Sequence, residues 1–323
     1  MTRVIKKLGL IFAALLLVVS SLPLLNAQSV KAADSTDQSD ATIKIGTTQS
    51  LASLPFYVAQ EKQFYQEHNI TVELQQFKSA GALNDAIKAG SVNAAVTDLV
   101  NFTTIAKNNK SWKVTGTLTG YNGLVANKKD KNIKSLKGKT IALDKKDGSK
   151  LYLKNLLKKN NMKLSDVKIK NIAEQGKRTS SLKSKKVDAA VVADPFISNA
   201  KKSGAKVLNK QKASNTNGDV IAINNDYASK HVTDVNNLFN SYQDATKNLN
   251  KQGLTPSDSL LVQLGATRNA AADMNSLDIT FKKARRVTVA NFDKAVNYSK
   301  AQKLIKSRQQ LSEVQLKVDK VTK

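Results

Sequence analysis

Few side chains in this sequence are equipped for covalent chemistry. The chain has two histidines, His68 and His231, and no cysteine. The histidines stand far apart, each beside polar residues, so neither a Ser-His-Asp arrangement nor a His-ligated metal has enough material. Both read as surface residues. No Gly-x-Gly-x-x-Gly or Gly-x-x-x-x-Gly-Lys-Ser/Thr run occurs, which removes the usual dinucleotide and P-loop phosphate cradles. The expectation is a protein that is not an enzyme and uses no cofactor.

The sequence is richer in groups that bind. Thr47, Thr48, Gln49, Ser50 and Leu51 lie between a strand and a helix opened by Pro55. Hydroxyls and free N–H groups converge there, and the helix dipole favours a negative ligand group. Asp147-Gly148-Ser149 precedes a second helix in the same way, and two such ends facing each other would clamp one ligand. Thr97-Asp98 and Asp194 each close a strand and precede a helix, the ordinary place for an N-cap. A carboxylate left unpaired in a cleft would instead repel an anion and favour an amine or a ring with N–H donors. Tyr121, in a turn after a strand, is placed to stack on such a ring. The candidate ligand-binding set is Thr48, Gln49, Leu51, Thr97, Asp98, Tyr121, Ser149 and Asp194, with no metal site.

The elements that must position these residues are legible from periodicity. Ile43-Lys44-Ile45, Val72-Glu73-Leu74 and Ala94-Ala95-Val96 are short strand-like runs. Between them, the segments after Pro55 and around Leu83, Ala86 and Ile87 take the period of a helix, the second closed by Gly90. Alternation of this kind predicts a parallel sheet with helices on its faces and ligands at the carboxyl ends of its strands. A second α/β series starts near Ile133, with strands at Thr140 to Leu143, Val167 to Ile172 and Val187 to Val192. Two α/β lobes point to a cleft between them. Gly218 to Ile223 reads as a strand returning toward the first lobe, and from Val232 onward the chain is mainly helical. The expected division is lobe 1 over 42–127 plus about 222–310, lobe 2 over 128–221, and a charged tail over 311–323.

The chain opens with Arg3, Lys6 and Lys7, then an apolar run from Leu8 to Leu25, then small and polar residues. That is the layout of a secretory signal over 1–32, cut after Ala27 or Ala32, the alternative being an uncleaved anchor. Residues 33–41 are read as a flexible lead-in. Without cysteine, a lipid-anchored form is not expected, and the protein is placed as exported, extracellular or cell-surface associated. Losing Arg3, Lys6, Lys7 and Lys31 with the leader lowers the net charge from +27 to +23. A field of that size attracts polyanions. Because the lysines are spread over most helices and turns, without a nucleic-acid module, the expected counter-surface is an anionic cell-wall polymer or acidic lipid rather than nucleic acid. A lysine-rich surface that is merely well solvated is the other reading.

Six segments, in order, carry a family resemblance. Leu54 to Lys62, Glu67 to Leu74, Ala86 to Gly90, Val92 to Val96, Leu136 to Ala142 and Val187 to Phe196 resemble the substrate-binding proteins of ABC importers in the nitrate, taurine, aliphatic-sulfonate and thiamine-precursor group. The resemblance implies a type 2 periplasmic-binding-protein fold, with two α/β lobes, a ligand cleft between them and a helical C-terminal part. It further implies a monomer that closes on a small solute and hands it to a membrane permease. The chain departs from the group's pattern at Asp194-Pro195, often Glu-Pro, and at Asn93, often Asp. A sulfonate, taurine or nitrate-like anion is slightly preferred, because it fits the helix N-termini and the basic balance. A thiamine-precursor-like heteroaromatic or amine fits Asp98, Asp194 and Tyr121, and a basic cell-surface interaction protein is the third reading.

Overall fold

Ile43–Thr48 forms β1, whose Ile43 and Ile45 are fully buried. Strands covered on both faces read as continuous apolar runs rather than alternating ones, and Ala94–Asp98 (β3) follows that rule. The computed structural model describes residues 41–211, 218–277 and 279–322. The expected signal over 1–32 and nearly all of the lead-in lie outside the described residues.

The first sheet has the order β2-β1-β3-β10-β4, with β2 at Val72–Phe77, β4 at Trp112–Thr117 and β10 at Asp219–Asn224. Its first three strands are parallel, and β10 enters antiparallel between β3 and β4. The second sheet repeats the plan as β7-β6-β8-β5-β9. Here β5 is Asn122–Ala126, β6 Thr140–Leu143, β7 Lys168–Asn171, β8 Ala189–Ala193 and β9 Lys206–Lys210. Again one strand, β5, runs antiparallel between two others. The chain thus passes from lobe 1 to lobe 2 between β4 and β5, and returns between β9 and β10. Strand β5, expected in lobe 1, belongs to lobe 2 because it pairs with β8 and β9 and its Leu124 and Ala126 pack in that lobe's core.

Helices fill the connections. In lobe 1 these begin with α1 (Leu54–Glu61), α2 (Phe64–Glu67), α3 (Ala80–Lys88) and α4 (Leu99–Asn108). Lobe 2 holds α5 (Ser149–Lys159), α6 (Gln175–Lys183) and α7 (Phe196–Lys202). After β10 come α8 (Asn225–Ala228), α9 (Val232–Gln252), α10 (Asp258–Gln263) and α11 (Arg268–Met274), then α12 (Val289–Ala301) and α13 (Leu311–Val314). Pro55 sits in the first turn of α1, where its missing N–H had no partner. Ser79 caps α3 through Ala82 N–H, and Thr288 caps α12 through Asn291 N–H.

The last segment, to which the charged sequence assigns no structure, folds against lobe 1. Leu311, Val314, Val318 and Val321 are buried, Gln315 bridges to Val114, and Thr322 bridges to Arg285. Four apolar residues spaced among charges are enough to fix it, a pattern too sparse to show as a period. Helix α11 is likewise not apparent from the sequence.

The core of lobe 1 rests on α9 laid against α1. Phe56 is fully buried, its ring centroid 5.0 Å from that of Tyr242 at an interplanar angle of 43°. Phe56→Ala removes this contact and leaves a cavity, with an expected loss of about 3–5 kcal/mol of unfolding free energy in urea titration.

Candidate functional site

Strand ends and helix starts from both lobes meet in a cavity of about 70 Å³. Lobe 1 supplies Thr48, Gln49 and Ser50 after β1, Lys78 and Ser79 before α3, Thr97 and Asp98 at the end of β3, and Asp219 at the start of β10. Lobe 2 supplies Asn122, Asp147, Gly148, Ser149, Gln175, Arg178 and Ala193. Thr48, Gln49, Thr97, Asp98 and Ser149 are therefore brought together as the sequence suggests. A neighbouring cavity of about 200 Å³ shares the walls Asp98, Asn122, Gly148 and Asp219, and extends to Tyr152, Asn155 and Lys294.

The lobes touch across this site. Gln175 Nε2 donates to the Gln49 carbonyl at 2.8 Å, while its Oε1 accepts from Ala193 N–H at 2.6 Å. Leu51 N–H donates to the Asp194 carbonyl at 3.0 Å. Asn199 Nδ2 donates to Gly265 O at 2.7 Å and its Oδ1 accepts from Thr267 N–H at 2.8 Å. Gly148 lies against Asp98: a Cβ there would stand 3.2 Å from Asp98 Oδ1. The lobes are held closed, with space for several water-sized groups between them.

Three carboxylates dominate the electrostatics. Asp98 caps α4, accepting from Val100 N–H at 2.8 Å and Asn101 N–H at 3.1 Å. Its cross-strand partner in the antiparallel β3–β10 register is Asp219, and like charges directly opposite destabilise a sheet. Asp147 faces both from lobe 2. Burial, and then repulsion from Asp147, raise the Asp98 carboxyl well above its usual range, against the backbone donors that lower it. Burial and Asp147 push Asp219 up to about 7. Asp144, behind the same loop, is raised by burial first and Asp147 second.

Arg178 offsets part of this charge through Asp147. It is 1 % exposed, and its guanidinium donates to Ile172 O and Val191 O at 2.7 Å, Ala173 O at 2.9 Å and Ser149 Oγ at 3.4 Å. It stands 3.4 Å from Asp147 Oδ2. Most of its donors are spent on holding lobe-2 carbonyls. Among the described residues no group of three or more His, Cys, Asp and Glu is arranged to hold a metal ion.

Three expected ligand residues serve the framework instead. Leu51 is buried in the core of lobe 1, and only its backbone reaches across. Asp194 is 1 % exposed and ties down the first turn of α7, accepting from Ser198 N–H at 3.0 Å and Ser198 Oγ at 2.7 Å. Its other oxygen accepts from Tyr121 Oη at 2.9 Å and pairs with Lys210 at 2.9 Å. Tyr121 is 3 % exposed, with Lys210 over its ring at 4.7 Å; burial and Asp194 raise its hydroxyl. None of the three lines the cleft cavity. The sequence could not separate an Asp that ties down a helix start toward the core from one that does so toward the cleft. Asp219 and Arg178 were missed, the first because it starts a strand rather than ending one, the second because its helix shows little apolar period. The histidines sit elsewhere, His68 at 2.9 Å from Asp244 and His231 stacked on Tyr227.

Residues 51–253 match the family model described as NMT1/THI5 like. The chain belongs to the NMT1/THI5-like family. Among solved structures, this family member is similar to the alkanesulfonate-binding protein SsuA of Xanthomonas axonopodis pv. citri bound to MOPS. That likeness has a TM-score of 0.74 at 16% identity, covering 86% of this chain and 98% of the other. The aliphatic sulphonate binding protein SsuA of Escherichia coli gives 0.71 at 18% identity, covering 84% and 96%. The nitrate-binding protein NrtA of Synechocystis PCC 6803 gives 0.68 at 12%, covering 88% and 86%. Against curated proteins the sequence finds no match. The fold of the NMT1/THI5-like chain is thus the periplasmic-binding-protein fold, two α/β lobes about a cleft.

The raised carboxyl of Asp219 sets a pH dependence. Unfolded, it titrates near 3.8; folded, near 7. Between those values the native state holds a proton that the unfolded state lacks, so stability falls as pH rises, by up to about 1.4 kcal/mol per pH unit. The unliganded protein is expected to unfold at higher urea at pH 4.5 than at pH 7.5, and Asp219→Asn to flatten that difference.

Proposed function

We propose that this chain is the extracytoplasmic solute-binding component of an ABC importer, which captures a small solute between its lobes and delivers it to a membrane permease. It works as an exported monomer. The observation that carries this reading is the closed cleft itself: strand ends of two sheets, joined by two crossovers, enclosing polar side chains from both lobes. The solved neighbours SsuA and NrtA, named as binding proteins, support it. No chemistry is assigned to the site, where binding groups outnumber any nucleophile-and-base pair.

Two solute classes fit different walls of the cavity. Asp98, Asp147 and Asp219, with Arg178 committed to protein acceptors, favour a solute that brings positive charge or N–H donors, an amine or an amino-substituted ring. The Ser79-capped start of α3 and Lys78 favour a sulfonate-like anion, the class named for the SsuA neighbours. The carboxylates outnumber the cations facing the space, and the amine is the reading put forward.

Calorimetric titration with amines, aminopyrimidines, alkylsulfonates, taurine and nitrate at pH 5 and pH 8 tests it. An amine held by the carboxylates binds about tenfold or more tightly at pH 8, once Asp219 is ionised, and Asp219→Asn abolishes that gain. A sulfonate that binds more tightly at pH 5 would transfer the assignment to the α3 end, and no solute binding at all would sink the importer reading.

A further inference from the structure

We propose that the groove between α5 and α12 is a binding site for a linear phosphodiester polymer without bases. The proposal goes beyond the solute cleft and does not depend on which solute fills it. Charge is unevenly divided along the chain. Residues 122–211, which form lobe 2, contain 24 of the 52 Lys and Arg but 7 of the 25 Asp and Glu, a surplus of 17 positive charges. Within that lobe, α5 places Lys150, Lys154 and Lys158 four residues apart, with Lys159 beside them and no acid in the helix. Like charges at this spacing destabilise an isolated helix, so the stripe is a cost unless something anionic lies along it. Successive rungs rise about 6 Å along the axis.

The stripe has a shape to go with its charge. A groove of about 800 Å³ runs between the helices, with Lys154, Lys158 and Lys159 on one bank and Lys294 and Asn297 on the other. Lys154, Lys158 and Lys159 are exposed, and none of the four lysines has an ion pair among the described residues. The nearest acid on α12, Asp293, is engaged by Arg308 at 3.0 Å. Lys150, at the edge of the stripe, has its ammonium pushed down by burial, then by Lys145 and Lys154, which marks uncompensated positive potential.

The form of the partner follows from what lines the groove. A flat bilayer cannot enter a channel between two helices, and the exposed large apolar residues among those described are three separate valines, none in the groove. Bases would need an exposed aromatic ring to stack on. The aromatic residue of the lining, Tyr298, is 4 % exposed. A flexible chain of phosphodiesters fits both the depth and the charge.

The test compares two quadruple variants of the full chain, each checked for an unchanged thermal midpoint. K154Q/K158Q/K159Q/K294Q empties the groove of charge. K128Q/K129Q/K183Q/K185Q removes the same charge from a separate lysine-lined hollow of lobe 2. Binding of poly(glycerol phosphate) is measured at ~0.1 M salt, where the Debye length is about 10 Å, and across a salt series. The groove variant is expected to lose about tenfold or more in affinity and to flatten the log–log salt slope by about 3, near 0.7 for each lost contact. The control is expected to lose less than about threefold. Equal losses in both variants would reduce the effect to bulk charge and overturn the site, as would no loss in the first. Single-stranded DNA or phosphatidylglycerol vesicles binding more tightly per phosphate, with the same lysine dependence, would overturn the assignment to a base-free polymer.

Discussion

Three carboxylates crowded together from two lobes govern this cleft. Asp98 and Asp219 face each other across β3 and β10, and Asp147 reaches them from the other lobe as the lobes meet. Each is also fixed by its own local structure, Asp98 by the α4 cap and Asp147 by Ser149 N–H at 2.7 Å. The backbone therefore imposes the crowding, and relaxing it would mean undoing a cap or a sheet register. Protons relieve it in the absence of a guest, and a cationic guest would relieve it more fully. The glycine at 148 belongs to the same arrangement, since a side chain there would press on the Asp98 carboxylate.

Arg178 is one cation beside three carboxylates, and it offsets only part of their charge. A buried guanidinium beside an aspartate is usually read as a salt bridge, but this one gives its shortest bonds to three carbonyls. Those carbonyls lie in the middle of β8 and in the loop before α6, so the arginine ties that loop to the sheet of lobe 2. Removing a buried cation with this many acceptors would leave each of them unsatisfied, the expensive direction for any buried polar network. Its contribution to the site is position together with a partial offset to Asp147.

Much of the alternating architecture was legible because its strands are short apolar runs separated by helical periods, as in Ile43 to Val96 and again in Thr140 to Val192. The site was legible in part. Strand ends that precede helices drew attention to Thr48, Gln49, Thr97, Asp98 and Ser149, and these do line the cavity. The same rule also selected Asp194 and Tyr121, which satisfy each other and Lys210 inside the protein. Nothing local distinguishes the two outcomes: both aspartates follow apolar strands and precede helices, and only the packing of the opposite lobe decides which side is covered. Asp219 was hidden for the converse reason. It becomes a site residue because β10 returns antiparallel, which puts the strand's first residue at the end of the sheet where its neighbours finish.

The acidic cleft and the basic exterior are not independent. The groove between α5 and α12 and the larger cavity beside the cleft share Leu151, Asn155, Gln211 and Lys294 as walls, and that cavity in turn shares Asp98 and Asp219 with the cleft. A cationic solute approaching this protein alone would meet a repulsive long-range field, which lowers the rate of encounter. A polyanion lying along the lysines would cancel that field where it matters, the lysines taking the place of its condensed counterions. The solute would then meet a weaker barrier on its way to the crowded carboxylates of the cleft. On this view the positive surplus of lobe 2 would not oppose the capture of a cation once a bound polymer had cancelled it.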